Sequence, residues 1–309
     1  MKKTCALLLP VAVALAMLPA VIGEPATDAP TRDRIKAALP DKAFAAPKEK
    51  RKLLVFSVTN GFRHGSIPTG QAALGMLGEQ TGAYEAVVSN DLAHFESDRI
   101  GQFDAICFLN TTGDVFAPYA KGKKKEFDAL PAAEKKAAEA RAQRLFANLM
   151  AFVKGGKGFI GIHSATDTLY NQPEYGEMMN GYFWGHPWNA GTPVSIKVEP
   201  GQENHPIVKH LGGKNMDFKE EIYQLKDPYD SKKVRMLLRL DPTRSKMDVR
   251  GIKRTDADFG VSWIREWGEG RVFYCSLGHN DHIYWNPDVL KVYLGGIQWA
   301  LGDWEVPVQ

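Results

Sequence analysis

The sequence predicts an α/β fold built on a large, mostly parallel sheet, with antiparallel strands added in its C-terminal half. Three observations carry that prediction. In the first half, short apolar runs (LLVFSV, YEAVVSN, DAICFLNTT, GKGFIGI) alternate with helical stretches, as parallel strands joined by right-handed crossovers require. In the second half, five strand candidates follow one another closely with few helices between them. Three of the apolar runs lead into histidines, at the carboxyl ends of strands where open α/β sheets collect ligands.

Taken in order, Lys2 and Lys3 precede an apolar stretch from Ala6 to Leu18, and Val21 and Gly23 stand at −3 and −1 of a cleavage site. Residues 1–23 therefore read as a secretory signal peptide, since a membrane span needs about 20 apolar residues. Export to the periplasm or medium follows, with no membrane span after cleavage. Residues 24–52, rich in Ala, Pro, Lys and Asp, read as a mobile leader or a surface arm. The main domain is expected over 53–302, with 303–309 as a tail.

LLVFSV is a strand buried on both faces, and Ser66 with Pro68 opens the helix that follows it. After the third strand comes a lysine-rich insertion beyond Val115, read as a solvated loop and helix face. Leu130-Pro131 opens a long helix that stops at Gly155-Gly156. GKGFIGI is the fourth strand. TPVSIKVEP, EEIYQL, VRMLLRL, GVSWIREW and GRVFYCSL are the later strand candidates, with a turn at Gly268 to Gly270. A helix from about Val289 to Leu301 closes the fold.

Composition excludes some functions. A formal charge of +3 on 309 residues, with no basic stripe interleaved with aromatics, argues against nucleic-acid binding. No nucleotide-cofactor fingerprint is present. Outside the leader only Cys107 and Cys275 remain, both in apolar runs, and they read as core residues rather than a disulfide or a zinc finger.

His163 follows the fourth strand directly and His279 follows GRVFYCSLG, so both are candidates for acid–base or metal chemistry. Asp167, four residues after His163, could orient it or cap a helix. Asn60, Arg63 and His64 share the loop after the first strand, where Arg63 suits an anionic or polyhydroxyl ligand. Trp184 and His186 lie in the aromatic run YFWGHPW, which suits the apolar faces of sugar rings. Glu220 and Glu221 would alternate inward and outward in a strand, and the inward one, taken as Glu221, is a base or ligand candidate. A divalent metal held by His64, His163, His186 and His279 with a glutamate requires ligands that converge from distant positions, because no H-x-x-x-H or C-x-x-C spacing exists. Ser164 could act as a nucleophile with a histidine base, although no G-x-S-x-G elbow surrounds it.

The ordered motifs FSVTNGFRHGSI, FLNTTGDVF, GGKGFIGIHSATDT, YFWGHP, EEIYQL and SLGHND resemble those of the trehalose-utilisation (ThuA-like) family over roughly residues 53–302. That resemblance implies a flavodoxin-like, three-layer α/β/α sandwich similar to class I glutamine amidotransferases. The amidotransferase cysteine has no counterpart here, where the corresponding turn reads Gly161-Ile162-His163-Ser164. The resemblance also implies a small carbohydrate substrate, and cleavage or hydration of 3-keto-glycosides by histidine and carboxylate groups. Its rivals are a non-catalytic sugar-binding protein and a serine-type hydrolase using Ser164.

Overall fold

The computed structural model describes residues 27–308, so the signal-peptide reading of residues 1–23 lies outside the described residues. The elements in chain order are α1 (Ala29–Ala38), β1 (Lys52–Phe56), α2 (Ile67–Thr81), β2 (Glu85–Val88), β3 (Ala105–Leu109), α3 (Lys124–Asp128), α4 (Ala132–Lys154) and β4 (Gly158–Ile162). They continue with α5 (Pro173–Met179), β5 (Tyr182–Phe183), β6 (Pro193–Val198), β7 (Met216–Lys219), β8 (Leu225–Lys226), β9 (Arg235–Leu240), β10 (Gly260–Trp267), β11 (Gly270–Cys275) and α6 (Pro287–Ala300). Among the described residues no helix is long and apolar enough to cross a membrane.

The main sheet runs β2-β1-β3-β4-β11-β10-β9-β6-β7. Its first five strands are parallel. From β11 onward the neighbours are antiparallel, because the two-residue turn at Gly268-Glu269 joins β10 to β11 directly. Side-chain alternation splits the core into two layers. Leu53, Val55 and Cys107 face a cluster that includes Leu77 of α2 and Leu290 of α6. Leu54, Phe56 and Phe108 face another that includes Leu149 of α4 and Met178 of α5. The result is the flavodoxin-like three-layer sandwich, extended by antiparallel strands.

Cys107 and Cys275 are free and buried, as their apolar surroundings imply. The segment before β1 is tied down. Ile35 of α1 is fully buried, Gln298 of α6 bonds Phe44 and Ala45, and Arg51 forms an ion pair with the buried Asp303. The insertion after Val115 buries Phe127 against the fold, while its lysines pair locally (Lys123 with Glu126, Lys124 with Asp128) or face water.

Two local expectations change. Ser66 precedes α2 but does not cap it; its hydroxyl donates instead to the Gly278 carbonyl at 2.9 Å. EEIYQL is not a sheet strand. Ile222 makes a single bridge to Trp188, and only Leu225–Lys226 pairs, with β5 in a separate two-stranded ribbon. Residues 220–225 are all buried because the chain leaves the edge strand β7 and crosses over the carboxyl ends of the sheet, so its burial comes from covering strand ends rather than from pairing.

Candidate metal centre

β4 and β11 lie side by side with Ile162 opposite Cys275, so the residues that leave them meet. His163 turns sharply off β4 with φ 51°, a left-handed conformation that a non-glycine residue holds only where its surroundings enforce it. Its ring is fully buried, and Nδ1 lies 2.8 Å from the Ser276 carbonyl. A carbonyl only accepts, so Nδ1 carries the proton and Nε2 presents a lone pair. That lone pair faces His64 Nε2 at 3.2 Å, the Tyr223 hydroxyl at 3.1 Å and Glu221 Oε1 at 3.6 Å. His279 Nδ1 lies 3.2 Å from the same Glu221 oxygen.

The three imidazoles stand nearly perpendicular to one another, at 85°, 90° and 83°. One donor atom from each of His64, His163, Glu221 and His279 lies within 4.8 Å of all the others. Tetrahedral donors about 2.0–2.1 Å from a zinc-sized ion sit roughly 3.3–3.4 Å apart. The separations of 3.2, 3.6 and 3.2 Å straddle that value. His279 Nδ1 is buried, and the closeness of Glu221 Oε1 at 3.2 Å puts both atoms among the candidate donors. These residues fit a divalent cation.

Electrostatics prepare the lone pairs. Burial holds His163 well below the usual imidazole range, reinforced by His64, with the Ser276 bond opposing. Burial also pushes His64 down to about 4, helped by His279. Burial pulls on His279 as well, but Glu221 prevails and raises it. Ser164 Oγ lies 3.4 Å from His64 Nδ1 and can donate or accept, so it accommodates either tautomer of that ring.

The loop that carries His279 is pinned from below. Glu220, fully buried, accepts from the backbone N–H of Gly278 (3.1 Å), His279 (2.6 Å) and Asn280 (3.2 Å). The Gly278 carbonyl accepts from Ser66, Asn110 and Tyr284. At φ 141° Gly278 is in glycine territory, and a Cβ there would meet the Tyr284 hydroxyl at 2.7 Å and His163 Cβ at 3.1 Å. Both glutamates are thus buried, which corrects the expectation that one would face out: Glu221 serves the cluster and Glu220 holds its frame.

Around this core, His186 is about half exposed (47%) with Nδ1 3.4 Å from Glu221 Oε2, beside the cluster rather than within its four donors. Phe183 stacks on His186 and meets the Tyr223 ring edge-on. Asp167 neither orients His163 nor caps a helix; Oδ1 accepts the Tyr170 hydroxyl at 2.5 Å, and burial raises the carboxyl above its ordinary range. Asn60 braces its own loop by donating to the Asp114 carbonyl at 2.5 Å, and Arg63 is exposed. Trp184 is exposed near the mouth, whereas Trp188 is core, fully buried with its indole N–H on the Lys246 carbonyl. Ser164 is fully buried. The backbone N–H groups of Gly278 and His279 already serve Glu220, so they offer no oxyanion hole for a serine mechanism.

Tyr223, Phe62 and Tyr170 carry no sequence expectation, and Glu220 carries only that of the outward partner of Glu221. Tyr223 had a usable signal, since it sits two residues beyond Glu221 in a motif already marked. His94, His205, His210 and His282 stay outside the cluster; His205 and His210 bond the Pro307 and Asp288 carbonyls.

The profile of the ThuA family, described as trehalose utilisation, matches residues 52–128 and 123–300. No curated protein matches the chain. The fold is similar to a ThuA-like protein from Bacteroides uniformis, at 19% identity and a TM-score of 0.56, covering 82% of this chain and 93% of that one. A ThuA-like protein from Parabacteroides merdae is similar at 17% identity and a TM-score of 0.54, with 84% and 94% covered. Family profile and architecture agree: the chain belongs to the ThuA family.

Proposed function

We propose that the protein is a metal-assisted carbohydrate lyase or hydrolase that cleaves 3-keto-glycosides. The observation that carries this reading is the quartet of buried His64, His163 and Glu221 with half-buried His279, whose donor atoms all lie within 4.8 Å of one another, beside half-exposed His186 and half-buried Asp167. The quartet would hold the cation. A divalent cation so held supplies Lewis acidity toward a carbonyl or enolate oxygen.

The remaining chemistry belongs to the side chains. A ketone at C3 acidifies the proton on C2. His186, the most open imidazole at the site, takes that proton. The released electron pair forms the C1–C2 double bond as the bond from C1 to the glycosidic oxygen breaks. Asp167, whose carboxyl burial raises above its ordinary range, donates a proton to the departing oxygen. Water then adds across the double bond, its oxygen to C1 and a proton to C2. The sum is hydrolysis with no net redox change.

Tyr223 packs its ring against that of His163, 4.6 Å between centres, and Glu220 keeps His279 in place. Export to the periplasm or medium, read from residues 1–23, belongs to the same proposal. The test is turnover of a panel of 3-keto-glycosides and their unoxidised parents, with and without chelator, in deuterated water. Release of the aglycone from keto substrates alone, with deuterium at C2, supports the reading. Equal cleavage of the parents, or product without C2 label, rejects it. Sugar binding without any turnover would favour a binding protein.

A further inference from the structure

Four large hydrophobic side chains are exposed among the described residues, and three of them border this site. Phe62 (63%) packs edge-on against His64, its ring centre 4.9 Å away. Tyr170 (39%) donates to Asp167 and also reaches the Phe183 carbonyl at 3.4 Å. Trp184 (37%) lies between Phe183 and His186 in the chain. Exposed aromatics gathered at one mouth form a surface for the apolar face of a ring.

Each of these aromatics is accompanied by a cation. Lys226 Nζ lies 5.1 Å from the centre of the Tyr170 ring, and Lys253 Nζ lies 5.2 Å from that of Trp184. Lys121, from the insertion after Val115, donates to the Gly61 carbonyl beside Phe62, and exposed Arg63 follows in the same loop. Among the described residues none of these four has a carboxylate within ion-pair distance, whereas Lys123, Lys124, Lys154 and Lys157 all do. A ring face holds an ammonium without neutralising it.

The placement of Lys253 is built rather than incidental. Gln224 is almost fully buried, and its Oε1 accepts the backbone N–H of Lys253 and of Arg254 while its Nε2 donates to the Gly251 carbonyl. Its own backbone exchanges bonds with Trp184 and Gly185. Gln224 thus clamps the 251–254 loop against the Trp184 segment, and Lys253 Nζ closes the contact on the Trp184 carbonyl at 2.8 Å. Lys226 stands opposite Tyr182 in the ribbon that also leads to Trp184. Asp167 and Glu221, the acids that contact these aromatics or the histidines, are half-buried and buried.

We infer that the substrate is an anionic saccharide, carrying a carboxylate or phosphate that the rim cations Lys121, Arg63, Lys226 and Lys253 receive while its ring rests on Phe62, Tyr170 and Trp184. The inference rests on the carbohydrate reading of the site and names its substrate class. The insertion after Val115 acquires a role, since it delivers Lys121 to the rim.

The experiment compares binding by calorimetry to the metal-loaded protein for three matched sugars: a neutral glucoside, its uronic acid and its 6-phosphate. The same series is run with Lys226→Ala/Lys253→Ala and at raised salt. An advantage of roughly tenfold or more for an anionic sugar, which collapses in the double variant and with salt, supports the inference. Which anion binds more tightly identifies carboxylate or phosphate. Equal affinity for neutral and anionic sugars overturns it and leaves the proposed reaction standing. No binding of any sugar by protein that still takes up metal overturns both.

Discussion

Replacing Glu220 with alanine tests whether this residue is a structural strut rather than a reacting group. The side chain is fully buried and accepts from three backbone N–H groups of the 278–280 loop. A buried donor stripped of its partner costs about 1–3 kcal/mol. Three donors set a range of about 3–9 kcal/mol, and water entering the vacated space brings the expected loss to about 3 kcal/mol. For a chain of this size each kcal/mol moves Tm by about 2–4 °C, so Tm should fall by about 6–12 °C. Glu220→Gln keeps one acceptor and should recover about half of the loss. Thermal unfolding of metal-free protein measures this directly, with Glu221→Gln as the contrast: it should leave the metal-free Tm within about 2 °C while abolishing metal uptake. An unchanged Tm for Glu220→Ala would refute the strut.

Three further outcomes follow from the same geometry. Gly278→Ala places a methyl against Tyr284 and His163 at a φ that disfavours it, and should cost about 2–5 kcal/mol in urea unfolding. Saturating zinc should raise the stability of the wild type by about 4 kcal/mol at a thousandfold excess over Kd, and chelation should reverse it; scanning calorimetry reads both. Burial depresses the folded-state values of His205 and His210 below 6.5, so the unfolded chain binds more protons in acid. The stability they contribute is complete above that value and is lost as pH falls below it. Metal-free protein should therefore melt lower at about pH 5 than at about pH 7.5, and His205→Gln/His210→Gln should reduce the difference; an undiminished difference would remove these residues from the account.

The sequence made the parallel half of the sheet legible because its strands are covered on both faces and therefore continuous in apolar character. Placing His163 and His279 needed only the rule that side chains leave such strands at the ligand-binding edge, and His64 followed from the loop after β1. What local pattern could not show was convergence. Nothing in the spacing says that residues 220–225 abandon the sheet and cross its strand ends, so EEIYQL looked like another strand and Glu220 like an outward residue. The same crossing brings Tyr223 onto His163, a contact between residues sixty positions apart. Trp184 and Trp188 look alike in sequence, yet one is at the mouth and the other is in the core, because Trp188 packs edge-on against Phe259. The insertion after Val115 read correctly as a solvated lysine-rich loop, but its reach to Gly61 depends on tertiary contacts.

The central claim is that His64, His163, Glu221 and His279 form one metal site. Titration of zinc into metal-free protein, followed by calorimetry and elemental analysis, tests it most directly. The account predicts one equivalent bound by the wild type, and an affinity about a hundredfold weaker or worse in His163→Ala and in Glu221→Gln. No uptake by the wild type, or equal uptake by both variants, would contradict it.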